Sequence, residues 1–211
     1  MEAGAGPGRT RRARLATALL EGIGRRLWGF PPNLMRPIVD QLGPGHALSW
    51  FVSNMPRYEK TLSTYGPLRT HLLAMTVSLA NGCPYCSYGH AFAFELAYFR
   101  TYDLLFPLDE DQIVALHGRD PSLIEERLRA ALASTPLIDE AVWTERMVAL
   151  IGGAEPAGAD DARLAHLVSM FGVLNSCGIA ANTPRDQAHD PLNKDTGLKA
   201  RYVAVRSSGS A

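Results

Sequence analysis

The chain has 211 residues, of which 46% are hydrophobic, and it carries 21 basic and 21 acidic side chains. A chain of this length can bury one full core, and its balanced charge gives no reason to expect a nucleic-acid partner. No apolar run reaches the roughly 18 residues of a membrane span, so no membrane association is expected. Three cysteines, two of them in a C-x-x-C pair, favour a reducing compartment and predict a cytoplasmic protein.

The first third of the chain predicts short helices behind a basic tail. Residues 1–14 are rich in glycine and arginine, which is typical of a disordered segment. Apolar residues at helical spacing then predict three helices, separated by Pro31-Pro32 and by Gly43-Pro44-Gly45. These predicted helices are Leu15 to Trp28, Leu34 to Leu42 and His46 to Met55. A polar stretch, residues 56–64, leads to a break at Gly66-Pro67.

The clearest helix–break–helix pattern lies between Leu68 and Phe99. Apolar residues recur every three or four positions from Leu68 to Leu79. Asn81-Gly82 interrupts the pattern, and Pro84 suits the first turn of a new helix. This second helix extends to about Phe99 and is apolar on nearly all sides, which predicts burial. The two helices are therefore expected to fold back on each other.

The remainder of the chain also predicts helices. They are Ile113 to His117, Leu123 to Ala133, Ile138 to Ile151 and Ala162 to about Asn175. No alternating pattern is long enough to build a sheet, so the predicted fold class is all-α, a compact helical bundle. Residues 15–184 are predicted to form a single domain. Residues 185–211 are polar and predict a C-terminal arm, in which Tyr202 to Val205 forms a short strand or packs on a neighbouring subunit.

The residues suited to chemistry concentrate at residues 83–90, CPYCSYGH. Positions i, i+3 and i+7 share one helical face, so Cys83, Cys86 and His90 are expected to form one stripe. The folded-back hairpin should also bring His71 toward His90, since they lie roughly 15 Å and 10 Å from the bend. A helix amino terminus or an adjacent imidazole lowers the pKa of a thiol. His90 is thus the expected proton acceptor for Cys86, and Cys83 the thiol that closes a disulfide with it.

This segment resembles the alkylhydroperoxidase D-like and carboxymuconolactone decarboxylase family. The family signature is C-x-x-C-x-x-x-H after a helix ending in L-x-N-x-C, and LANGCPYC at residues 79–86 followed by His90 fits it. The resemblance implies a helical homo-oligomer that needs no cofactor or metal and reduces peroxides with its cysteine pair, recharged by a dithiol reductant. It further implies Cys86 as the peroxidatic thiol, Cys83 as its partner and His90 in the proton relay.

His71 departs from the family pattern, which usually has a glutamate twelve positions before the first cysteine. Histidine also moves protons near neutral pH, but two buried imidazoles do not both become charged cheaply. Two interpretations of His71 follow. It belongs to a rewired relay that serves this or a different substrate, or it is a hydrogen-bonded histidine of the core.

The predicted function is a thiol-dependent peroxidase or disulfide oxidoreductase acting on a small hydroperoxide or disulfide. One alternative is a non-redox scaffold that binds an apolar ligand or zinc, the zinc held by Cys83, Cys86, His90 and His71. Another is acid–base chemistry on a lactone or keto acid, as in the decarboxylase branch, which does not require the cysteine pair. The residues assigned structural or surface positions are His46, His117, His166, His189 and Cys177.

Overall fold

The computed structural model describes residues 10–208, and every regular element within that range is helical. The α-helices are α1 (Arg11–Trp28), α2 (Met35–Leu42), α3 (Pro44–Ala80), α4 (Pro84–Tyr102), α5 (Glu110–Val114), α6 (Pro121–Leu132), α7 (Ala141–Ile151), α8 (Ala159–Ala180) and α9 (Thr196–Ser208). Two short 3-10 helices, Ile138–Glu140 and Pro191–Lys194, precede α7 and α9. The predicted all-α fold class is confirmed.

Helices α3 and α4 form the central hairpin. α3 bends at Gly66, whose φ of 76° lies in the left-handed region that favours glycine. Its second half, after the bend, is buried on nearly all sides. Asn81 and Gly82 make the turn, and Pro84 occupies the first position of α4, where a missing N–H breaks no helical hydrogen bond. The predicted break and the predicted helix on either side of it are both present.

Three further helices enclose the amino-terminal end of α4. α8 packs against both α3 and α4, while α1 and α2 cover the side on which the cysteines lie. The apolar cluster at this end includes Leu20, Ile38, Cys83, Cys86 and Cys177. The first turn of α4 is therefore inside the protein, although a helix terminus is more often exposed to solvent.

Several elements extend beyond their predicted bounds. α1 begins at Arg11, so residues 11–14 of the predicted tail are helical, and residues 1–9 lie outside the described part of the chain. Residues 56–64 continue α3 because their polar side chains form its solvent side while Tyr58 and Thr61 are buried. α8 runs to Ala180.

Residues 185–208 pack against the rest of the same chain. The predicted strand at Tyr202 to Val205 is wrong, because these residues belong to α9 and Tyr202 is buried within its own chain. The alternative, that this segment packs on a neighbouring subunit, stays a prediction. The run of apolar residues there suggested a strand, whereas the buried face of α9 is formed by Leu198 and Tyr202, one helical turn apart. This face packs against α4.

The apolar row predicted on α1 lies on its outer surface. Leu15, Leu19 and Ile23 are 61%, 55% and 40% exposed, whereas Ala16 and Leu20 face the core. The predicted homo-oligomer remains a prediction. Across residues 10–208, no helix combines the length and the apolar character needed to cross a bilayer.

Candidate functional site

The amino terminus of α4 holds two free thiols in contact. Cys83 is the residue that caps the helix, and its Sγ accepts the backbone N–H of Cys86 at 3.5 Å. The two cysteines approach within 3.4 Å and are not joined by a disulfide. Both are buried, at 0% and 2% exposure. Since a disulfide needs about 2 Å between sulfur atoms, small side-chain rotations would suffice to close one.

The surroundings affect the two thiols in opposite directions. The pKa of Cys83 is lowered, first because the Cys86 thiol donates to its sulfur and then because backbone N–H groups point at it. The pKa of Cys86 is raised well above its ordinary value, chiefly by burial and further by that hydrogen bond to Cys83. The expected lowering of the Cys86 pKa is therefore outweighed by its burial. In the reduced pair, negative charge is favoured on Cys83, and Cys86 carries the proton between them.

His71 and His90 converge as the hairpin geometry predicts. Their Nδ1 atoms are 3.1 Å apart, and Nε2 of His71 lies 2.9 Å from Oδ2 of Asp190. A carboxylate only accepts, so Nε2 of His71 carries a hydrogen and its Nδ1, in the neutral ring, is an acceptor. His90 then donates from Nδ1. Its Nε2 is left as an unprotonated nitrogen, available as a base.

Burial and charge maintain this arrangement of protons. The pKa of His90 is lowered well below its ordinary value, first by burial and then by the neighbouring His71 and His189. Burial raises the pKa of Asp190, but the hydrogen bond from His71, together with the backbone N–H of Leu192, leaves that pKa below the ordinary value. The site therefore combines a neutral His90 with an ionised Asp190. Sequence analysis did not identify Asp190, which is 119 positions from its partner His71.

A third imidazole, that of His189, lies beside His90 with ring centroids 5.3 Å apart. Its Nε2 is 3.2 Å from Oδ1 of Asp186. The other oxygen of Asp186 accepts the Tyr85 hydroxyl at 2.7 Å and the backbone N–H of Asn33 at 2.9 Å. His189 is only 7% exposed, so it is not a surface residue. The available sequence signal was the cluster DQAHD at residues 186–190, which sequence analysis did not use.

Gly89 provides the space that His189 occupies. A Cβ built on Gly89 would lie 2.3 Å from both Cε1 and Nδ1 of the His189 ring. The backbone N–H of His189 also donates to the carbonyl of Gly89 at 3.0 Å. A glycine inside a helix costs about 1 kcal/mol relative to alanine. At position 89 the missing side chain allows the His189 ring to pack directly on the backbone of α4.

One thiol and two of the three imidazoles lie at the wall of an apolar cavity of about 50 Å³. Cys86, His90 and His189 contribute the groups suited to chemistry. The apolar lining includes Trp28, Leu34, Phe51, Met55, Phe171 and Leu174. One water-sized probe needs roughly 10–15 Å³, so the space suits a few heavy atoms, such as a peroxide group and its first carbon atoms. Of the two paired thiols, Cys86 is the one that lines the cavity.

The arrangement does not favour the zinc alternative. Nowhere in residues 10–208 do three or more histidine, cysteine, aspartate or glutamate side chains form a group that could hold a metal ion. The nitrogen atoms of His71 and His90 that face each other are joined by a hydrogen bond. Zinc would need those imidazoles to turn toward the sulfur atoms of the pair.

Comparisons with protein-family models, with curated protein sequences and with solved structures find no match. The fold and the site together define an all-α protein with a buried dithiol beside three imidazoles. The resemblance to the alkylhydroperoxidase D-like family remains a prediction. A proposal for the function therefore depends mainly on the geometry of the site.

Proposed function

We propose that this protein is a thiol-dependent peroxidase or disulfide oxidoreductase that uses Cys86 and Cys83 as a redox pair. The observation that carries the proposal is the 3.4 Å approach of two free thiols, one of which lines an apolar cavity together with imidazole rings. Thiol chemistry needs a reachable sulfur, a second sulfur in contact with it and a group to move protons. The site supplies all three. The resemblance noted in the sequence analysis supports the same chemistry.

Cys86 is the proposed attacking thiol because it lines the cavity. Burial raises its pKa, so a base must remove its proton. Nε2 of His90 is the acceptor: it is one helical turn away on α4, and its ring lines the same cavity. The thiolate attacks the terminal oxygen of a hydroperoxide, an S–O bond forms and the O–O bond breaks. The products are an alcohol, once the departing oxygen is protonated, and a sulfenic acid on Cys86.

Cys83 then resolves the sulfenic acid. Its lowered pKa favours the thiolate, which attacks the sulfur of Cys86, forms the disulfide and releases the hydroxyl group as water with one proton. A dithiol reductant returns the pair to its starting state by two exchange steps. A disulfide substrate would take the place of the hydroperoxide: the reduced pair would attack it in two exchange steps, release it as two thiols and end as the same Cys83–Cys86 disulfide.

His71 and Asp190 keep His90 in its basic tautomer. The Asp190 carboxylate holds the hydrogen on Nε2 of His71, and His71 in turn accepts the hydrogen of His90. When His90 takes the thiol proton, its positive charge is neighboured by the polarised His71–Asp190 pair. In this proposal His71 belongs to a proton relay formed by His90, His71 and Asp190. It occupies the position at which the family that the sequence resembles usually has a glutamate.

The experiment that tests the proposal counts thiols before and after one equivalent of hydroperoxide. The wild-type protein should lose two of its three thiols, with an intact mass lower by two hydrogen atoms and no added oxygen. Cys83→Ser should instead gain one oxygen, because its sulfenic acid has no partner. Unchanged thiol counts in the wild-type protein, under conditions where the fold is intact, would exclude redox use of the pair.

The apolar cavity also favours a second candidate, the binding of an apolar ligand without redox chemistry. The same cavity would serve it, with the thiols acting as packing groups. The double variant Cys83→Ser/Cys86→Ser separates the two functions: it should lose peroxide consumption under the first proposal, and it should keep its full ligand-linked thermal stabilisation under the second.

Homo-oligomerisation remains part of the proposal. The exposed row of Leu15, Leu19 and Ile23 on α1 is consistent with a subunit contact.

A further inference from the structure

We infer that His189, held by Asp186, donates the proton taken up by the departing oxygen of the hydroperoxide. This inference rests on the proposed peroxidase function and adds a catalytic residue to it. His189 comes from the segment between α8 and α9, outside the C-x-x-C-x-x-x-H stripe, and its ring lines the cavity with Cys86 and His90.

The reaction needs a proton donor as well as a base. His90 uses its Nδ1 to donate to His71, so its Nε2 is the one nitrogen left to receive the Cys86 proton. An alkoxide is a strong base and a poor leaving group unless a proton reaches it during O–O cleavage. A second imidazole at the same cavity can supply that proton as His90 receives the other, so that only one of the two rings is charged at a time.

The Asp186 carboxylate holds the His189 ring. Its Nε2–H donates to the Asp186 carboxylate, which is itself fixed by the Tyr85 hydroxyl and by the backbone N–H of Asn33. The Nδ1 atom has no hydrogen-bond partner within residues 10–208, so it is the nitrogen left for the cavity. A carboxylate on one ring nitrogen stabilises the imidazolium that a proton on the other creates.

Aromatic side chains and the backbone of α4 surround the His189 ring. Trp28 stacks on His189 with ring centroids 5.3 Å apart and planes 21° apart, and Phe30 lies 6.3 Å away at 20°. The Gly89 backbone packs directly against the same ring, so packing as well as the Asp186 hydrogen bond positions His189 at the cavity.

The step balances in atoms and charge. Cys86–SH gives its proton to His90, and the thiolate attacks the terminal oxygen of R–O–O–H. The S–O bond forms, the O–O bond breaks, and RO⁻ leaves with the electron pair. Protonated His189 gives its Nδ1 proton to RO⁻, producing ROH. The proton on His90 then replaces the one that His189 has given, so the net reaction is Cys86–SH + ROOH → Cys86–SOH + ROH.

The test compares two oxidants that differ in the base they release. tert-Butyl hydroperoxide releases an alkoxide, which needs a proton, whereas peracetic acid, a molecule of similar size, releases a carboxylate, which does not. In single-turnover thiol-oxidation experiments, His189→Gln should react ~100-fold more slowly with the alkyl hydroperoxide and within about 3-fold of wild type with the peroxy acid. The peroxy-acid rate also shows that the cavity and Cys86 remain intact in the variant.

A second variant and a control complete the design. Asp186→Asn should also slow the reaction with the alkyl hydroperoxide and not with the peroxy acid. The decrease in rate should be smaller, about 10-fold, because the His189 ring remains but its positive charge is less stabilised. The matched control is His166→Gln on α8, a buried histidine that hydrogen-bonds Asn54 and does not line the cavity of Cys86; both oxidants should react as with wild type. Equal slowing of the two oxidants in His189→Gln would make His189 a structural residue and overturn the inference. Wild-type protein inert to both oxidants would instead overturn the proposed function.

Discussion

Two buried polar clusters lie along α4, and they differ in what their groups are free to do. The thiol cluster comprises Cys83, Cys86, His71, His90 and His189. The carboxylate cluster comprises Glu95, Glu110, Tyr202 and Arg206. In the second, the Tyr202 hydroxyl lies within hydrogen-bond distance of both carboxyl groups and Arg206 donates to Glu95, which attaches α9 to α4. In the first, a thiol and two imidazoles line an apolar cavity.

The comparison shows that a perturbed pKa does not by itself mark a reactive site. The pKa of Glu95 is raised to about 8, first by burial and then by Glu110, with Tyr202 and Arg206 opposing the shift. Its Oε2 atom is engaged by α9, so the cluster has a structural explanation. Cys86 combines a shifted pKa with a nucleophilic atom, a second sulfur and adjacent space. These additional features distinguish the candidate site.

The largest expected effect separates the two clusters by activity. Cys86→Ser should reduce hydroperoxide turnover at least ~1,000-fold, because a serine hydroxyl in this setting is a far weaker nucleophile than a thiolate. The measurement is steady-state peroxide consumption with an excess of dithiothreitol as the dithiol reductant.

Glu95→Gln is the matched control for this comparison. It changes a buried ionisable residue on the same helix and keeps nearly the same shape. Its turnover should remain within about 3-fold of wild type, since it lies in the carboxylate cluster. A comparable loss in both variants would mean that α4 responds as one structural unit, and the distinction between the clusters would fail.

An intermediate effect on the rate of Cys86 oxidation is expected from Asp190, which hydrogen-bonds His71 in the proposed proton relay. Asp190→Asn removes the carboxylate that sets the hydrogen on Nε2 of His71, and the amide can present either an acceptor or a donor there. His90 then loses its preference for the tautomer with a free Nε2. Single-turnover oxidation of Cys86 should slow ~10- to 100-fold. A near-normal rate, with the thermal midpoint unchanged, would place His71 among ordinary core histidines.

The smallest effect concerns the pH dependence of stability at the carboxylate cluster. The pKa of Glu95 is about 8 in the folded chain against an ordinary value of 4.5, so between these values the unfolded chain binds fewer protons. The free energy of unfolding should therefore fall as pH rises through this window, by at most about 1.4 kcal/mol per pH unit from this group. The contribution is complete at acid pH and is lost as pH rises through the folded pKa.

Urea unfolding measured across that window checks the sign. Glu95→Gln should remove this part of the slope, because its amide does not titrate. Cys86→Ser should keep the wild-type slope, which separates the two clusters by stability as the first prediction separates them by activity. Identical slopes for wild type and Glu95→Gln would show that Glu95 does not titrate in the window.

Local pattern was enough to predict the centre of the molecule. Gly82 and Pro84 define the turn between α3 and α4, and the residues around them are close in sequence. The convergence of His71 and His90 follows from helical rise on the two sides of one turn, so spacing alone predicted it. The resting pKa values of the two thiols were less predictable, because burial outweighed the effect expected of a neighbouring imidazole.

The C-terminal contribution could not be predicted in the same way. Asp186, His189 and Asp190 lie about 100 positions or more from their partners in the hairpin, in a segment with no helical or strand period. Their placement depends on α9 burying Leu198 and Tyr202 against α4 and on the space that Gly89 leaves. None of these contacts leaves a repeating pattern in the sequence.

The sequence by itself therefore determined an all-α fold, the hairpin and a dithiol with two imidazoles nearby, because each depends on spacing within about 20 residues. Tertiary structure alone decided which thiol meets the cavity, which carboxylate orients His71 and that a third imidazole joins the site. Those outcomes arise from long-range packing, in which burial and a few distant hydrogen bonds select one arrangement among many that the local pattern allows.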